Sequence, residues 1–131
     1  MRHAVKVVAV VVAGLVFASP AQAADCKINT RLREQTKELT YWYASYHYDI
    51  RNAVAYVNII DRESRFNYCA RNKRSGAYGL GQALPARKMA SVGSDWMTNP
   101  ITQLKWVSRY IKERYGTPRK AFQHMEKKGW Y

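Results

Sequence analysis

The sequence predicts a mainly α domain. Two helix starts, Asn99-Pro100 and Thr117-Pro118, each place a capping side chain before a proline at the first helical position. A proline there gives up only an N–H that would have no partner within the helix. The apolar residues elsewhere recur at helical spacing, and strand signals are weak. The exception is a glycine-bearing stretch over 74–84, which has no helical period and reads as irregular turns or a short hairpin around Ser75-Gly76.

The chain opens with a positive start, Met1-Arg-His-Ala-Val-Lys6, an unbroken apolar run from Val7 to Ala18, and small residues at Ala21 and Ala23. That is the anatomy of a secretory signal peptide cut after Ala23. The apolar run is too short for a membrane span, which needs about 20 residues. Removing residues 1–23 leaves 108, enough for one compact domain over 24–131 with a small core. With Arg2 and Lys6 gone, 20 basic residues stand against 9 acidic ones. Such an excess points to a polyanionic neighbour, and export favours an anionic cell wall over nucleic acid. No nucleic-acid motif accompanies the charge.

Two cysteines, Cys26 and Cys69, survive cleavage. In an oxidising compartment a disulfide between them is reasonable, with two free buried thiols as the alternative. Neither His47 nor His124 has ligand spacing with them, so no metal site is expected.

Residues from about Thr30 to Tyr46 form the first predicted helix, with Leu32, Gln35/Thr36, Leu39 and Tyr43 inward. The aromatic run Tyr41 to Tyr48 reads as core. Asp49 is placed to cap a second helix carrying Ile50, Val54, Val57 and Ile60, widened by Ala53, Tyr56 and Ile59. This helix is expected to be central, with Glu63 in its last turn. Pro85 fits the first turn of a short helix through Met89 or Ala90. After Pro100, an inward face of Ile101, Leu104, Val107/Ser108, Ile111 and Tyr115 ends at Gly116. After Pro118, Ala121, Phe122 and Met125 face inward until Gly129.

The candidate for chemistry is Glu63. A carboxyl at the end of a packed helix, near Phe66, Tyr68 and Tyr78, can hold its proton if water is kept away. The glycines at 76, 79 and 81 would let a bulky polar chain approach the backbone closely. Composition alone fits an exposed helix-end glutamate paired with Arg62 or Arg65 slightly better.

Glu63-Ser64 followed by Gly76-Ala-Tyr-Gly-Leu-Gly-Gln82 resembles the signature of lysozyme-like lytic transglycosylases. The resemblance is closer to the C-terminal domain of aggregation-promoting factors, relatives of the resuscitation-promoting factors. It rests on Glu63 to Asn67, Ser75 to Pro85, Lys88 to Ser91, Asp95-Trp96, Asn99-Pro100, Tyr110 to Lys112, Arg114 to Gly116 and Gly129 to Tyr131, all in one order. Two departures stand out. Gly81 takes the place of the usual methionine before glutamine, and Ala121 to Met125 replaces an Ala-Tyr-Asn-Ala-Gly element.

The resemblance implies a small lysozyme-like domain that cleaves the bond between N-acetylmuramic acid and N-acetylglucosamine. Glu63 would be general acid and then base. Ser64, Ser75, Tyr78, Gln82 and Tyr110 would position substrate or Glu63, with Trp106 bordering the groove one helical turn before Tyr110. Trp96 and Trp130 read better as core, and His124 as a packing or capping residue.

Glycosidases with two carboxylates hold them about 5–9.5 Å apart. Asp61, two residues from Glu63, points to nearly the opposite side of its helix, while Asp49 and Asp95 resemble capping and loop residues. A single acid suits a mechanism in which the sugar's own 2-acetamido group or 6-hydroxyl attacks, leaving a 1,6-anhydro end; water remains open as the acceptor. The expectation is therefore an exported, monomeric enzyme of the periplasm, wall or exterior that binds peptidoglycan strands and the anionic wall surface. It needs no cofactor and no metal, and touches neither nucleic acid nor, once cleaved, membrane. The other reading is a wall-binding or aggregation factor that keeps the groove without turnover.

Overall fold

The computed structural model describes residues 26–131, so the expected signal peptide lies outside the described residues. Among the described residues, four α-helices and one 3-10 helix account for the regular structure: α1 (Thr30–His47), α2 (Ile50–Ser64), the 3-10 helix (Ala86–Ser91), α3 (Pro100–Arg114) and α4 (Pro118–Lys128). The mainly α class is thus what the chain adopts.

Each start has a side chain to satisfy it. Asn29 accepts from Leu32 N, Asp49 from Asn52 N, Asn99 from Ile101 N and Thr117 from Lys120 N. Both prolines sit in the first turn, as their sequence context predicts. The short helix differs from expectation. Pro85 caps it rather than starting it, after a cis Leu84–Pro85 bond, and the turns are 3-10.

Helix α2 is central, packing on α1 and on α4, while α3 touches α1, α4 and the 3-10 helix. Tyr56, Ile59 and Ile60 of α2 meet Leu39 and Tyr43 of α1, Leu104, Val107 and Ile111 of α3, and Ala121 and Met125 of α4 in one core. Tyr56 is wholly buried, and its hydroxyl donates 2.7 Å to Leu104 O, so the phenol tip is satisfied inside.

Two expectations about faces fail. Ile50 is 75% exposed and Val54 52%, because they lie past the edge of the inward face, where Ala53, Tyr56, Val57, Ile59 and Ile60 are buried as expected and Ala55 joins them. Of the aromatic run, Tyr43 is core and Tyr48 packs on it, but Tyr41 and Tyr46 lie mostly in solvent.

Helix α2 ends because Arg65 and Phe66 take left-handed conformations, φ 50° and 62°. The reversed chain is then tied down on both sides. Arg33 donates 2.9 Å to Arg65 O, and Cys69 forms a disulfide with Cys26, with Cα atoms 5.5 Å apart.

The following stretch is a double reversal. Asn72 N donates to Ala77 O and Gly76 N to Asn72 O, and Tyr78 bridges antiparallel to Arg71 and to Ala83. The short hairpin expected around Ser75-Gly76 therefore exists as isolated bridges.

Gln103 of α3 anchors this loop from below. Its Oε1 accepts from Leu80 N at 2.8 Å, and its Nε2 donates to Tyr68 O and Trp96 O at 3.0 and 2.9 Å. Gly79 is required above it, since a Cβ there would lie 2.6 Å from that oxygen and its φ is +82°.

Candidate active site

Glu63 stands in the final turn of α2 and looks into a cleft of about 370 Å³. The walls come from four parts of the chain. Gly81 and Gln82 belong to the glycine loop, Lys88 to the 3-10 helix, Trp106, Tyr110 and Arg114 to α3, and Trp130 and Tyr131 to the segment after α4.

Apolar and aromatic surroundings remove water from the carboxyl. Burial pushes the Glu63 carboxyl from its ordinary 4.5 up to about 7, with no charged partner contributing. A carboxylic acid that keeps its proton near neutrality is the state a general acid requires. The Tyr131 phenol is pushed well up as well, by burial first and by the neighbouring Glu63 carboxylate second.

Three of the other carboxylates are engaged elsewhere. Glu126 pairs with Arg62 at 2.8 Å. Asp95 accepts from Thr102 and Asn99, and Asp49 caps α2. None of these lines the cleft with Glu63. Among the described residues, no group of three or more His, Cys, Asp or Glu side chains is placed to hold a metal ion.

Of the residues expected at the site, the fold brings four together: Glu63, Gln82, Trp106 and Tyr110. Trp106 and Tyr110, one turn apart on α3, stack with ring centres 5.1 Å apart and planes at 20°. Gln82 has φ 53°, and its amide nitrogen donates to Ala70 O and Gly79 O. It therefore fastens the loop while lining the cleft.

The other three hold the walls from behind. Ser64 is buried and donates back to Ile60 O at 3.1 Å. Ser75 is exposed on the reversal, where its hydroxyl accepts from Ala77 N. Tyr78 is core: its hydroxyl donates 2.7 Å to Met97 O, and Trp96 meets its ring edge-on.

Trp130 is half exposed and lines the cleft rather than completing the core. His124 does pack, with a ring nitrogen 2.9 Å from Trp130 O and its ring edge-on to that indole.

Sequence reasoning missed Tyr131, Lys88 and Arg114 as lining residues. Tyr131 donates 2.7 Å to Gly81 O and its own backbone oxygen accepts from Tyr110 at 3.2 Å, so it bridges two walls. The available signal was an aromatic pair directly after a helix-ending glycine. Arg114 donates to the Tyr110 hydroxyl and lies over the rings of Tyr110, Tyr115 and Trp130. Set against protein-family models, curated proteins and solved structures, the chain matches none.

Proposed function

We propose that the protein is a lytic transglycosylase of lysozyme-like fold that cleaves peptidoglycan at the β-1,4 bond between N-acetylmuramic acid and N-acetylglucosamine. The observation that carries this reading is Glu63: a carboxyl in an aromatic cleft, desolvated enough to hold its proton up to about pH 7, with no second side-chain carboxylate among the described residues of the walls around it.

In the proposed reaction the Glu63 carboxyl gives its proton to the glycosidic oxygen as the C1–O bond breaks. The departing sugar leaves as an alcohol, and positive charge develops at C1. The 6-hydroxyl of the same muramic acid then attacks C1 and returns its proton to the Glu63 carboxylate. The ring closes as a 1,6-anhydro sugar and the enzyme regains its starting state. Tyr110, backed by the buried Trp106 on which it stacks, offers an aromatic surface to a sugar face, and Gln82, whose nitrogen is held by the loop, offers its amide oxygen. Ser64, Ser75 and Tyr78 act on the substrate only through the walls that they hold.

This reading also explains the departure at Gly81. A Cβ at that position would lie 2.7 Å from the Tyr131 hydroxyl and overlap Val107, so the bulk that methionine would supply comes from Tyr131 instead. Export and residence at the wall belong to the same proposal.

The test is digestion of purified sacculi by the mature chain and by Glu63→Gln, with mass spectrometry of the products. Anhydro-ended fragments from the first and none from the second are expected. No products from either, with sacculus binding retained, would favour the wall-binding factor, which the basic lining beside the cleft also suits.

A further inference from the structure

The Glu63 cleft does not stop at Trp106 and Tyr110. A larger hollow of about 740 Å³ continues from it, and the two share Lys88, Trp106, Tyr110 and Arg114. Arg87, Arg109, Ser91 and Glu113 complete its lining. Four cationic side chains thus face one space with a single carboxylate.

Two of the cations are already oriented. Arg109 donates to Ser91 Oγ and lies 3.8 Å from Glu113. Arg114 is held by the Tyr110 hydroxyl and by the three rings it covers. Preorganised guanidinium groups match the planar or tetrahedral oxygens of carboxylates and phosphates, and their fixed geometry reduces the ordering cost of binding.

We propose that this hollow is an anion subsite, which binds a carboxylate or phosphodiester group on the same polymer whose glycosidic bond lies at Glu63. This rests on the reading of the cleft as a glycan-cleaving site. It adds that the substrate is an anion-bearing glycan rather than a neutral one. Arg87 and Arg109 belong to the hollow alone, so they select the charged substituent. Lys88 and Arg114 belong to both spaces and link anion recognition to the position of the sugar.

Binding, measured apart from turnover, tests this. In a Glu63→Gln background, calorimetric titration is made with three probes: a poly(glycerol phosphate) oligomer, an oligogalacturonate and a neutral chitin oligosaccharide. Arg87→Gln/Arg109→Gln should weaken at least one anionic probe by roughly tenfold or more, as loss of charge-assisted hydrogen bonds does. The neutral probe should bind as before. Glu113→Gln, which removes the only carboxylate, should tighten the same anionic probe, and which probe responds identifies the group. Lys127→Gln/Lys128→Gln removes equal charge from the end of α4 and serves as the control. If the control weakens binding as much as the Arg87/Arg109 pair does, or if that pair changes nothing, the subsite is overturned. A DNA oligomer binding there more tightly than either wall-type polymer would overturn it as well. Binding that follows expectation while sacculi stay intact would keep the subsite and discard the catalytic reading.

Discussion

The Tyr131 hydroxyl reaches back 50 residues to donate a 2.7 Å hydrogen bond to the Gly81 carbonyl, closing the cleft at Glu63 on that side. The contact exists because position 81 has no side chain. Gly81→Ala should therefore destabilise the fold by about 1–3 kcal/mol, the usual cost of an overpacked site. Adding Val107→Ala should restore part of the loss. Chemical denaturation of the three variants checks it; additive losses would contradict the shared-space account.

Glu63 makes stability and activity oppose each other. Below pH 4.5 the carboxyl is protonated in folded and unfolded chains alike. Between 4.5 and about 7 the unfolded chain releases its proton while the folded one keeps it, so stability falls with rising pH and stays lowered above. Glu63→Gln abolishes that cost. The shift would be worth roughly 3 kcal/mol for a fully enclosed group. Partial exposure screens it to about 1–2 kcal/mol. The variant should be more stable than the parent at pH 8 and equal to it at pH 4, as denaturant titration at the two pH values will show.

Turnover should follow the same proton. The kcat/KM for soluble glycan strands should be level below pH 7 on this limb and fall about tenfold per unit above it. A profile unchanged through pH 9 would remove Glu63 from the role of acid.

Gln103→Leu leaves Leu80 N, Tyr68 O and Trp96 O without their partner in a place shut off from water. A loss of about 3 kcal/mol is expected, since each abandoned buried group costs roughly 1–3 and neighbouring losses do not add fully. Faster amide exchange at Leu80 is the local sign to measure.

Cys26 and Cys69 are 43 residues apart. On the chain-entropy account, Cys26→Ser/Cys69→Ser should cost about 3–4 kcal/mol, with the unfolded chain as the main beneficiary. Urea titration of parent and variant measures the difference.

Local chemistry made most of the fold legible. Asp49, Asn99-Pro100 and Thr117-Pro118 announce helix starts in the residues themselves, and Gly129 announces an end. What escaped was decided by partners distant in sequence. Val54 and Ile50 are apolar, yet their angular position on α2 turns them from the core. Nothing in the sequence singles out Gln103, on which three backbone groups from other segments converge. At the site, Glu63, Trp106 and Tyr110 were visible through resemblance and helical spacing. Tyr131 was not, because its importance comes from the space left by Gly81. Ser75 and Tyr78 sit in the expected segment, but the double reversal turns them away from the cleft.

The left-handed pair at Arg65 and Phe66 sets two demands that conflict under selection. Only glycine and, less readily, asparagine adopt such angles without steric cost. In a saturation library screened for folding, position 65, which is exposed, should therefore drift toward glycine or asparagine. Position 66 should not, because its ring is buried against the core and stacks on Tyr41. The turn that aims the acid is thus free to evolve at one residue and frozen at the next.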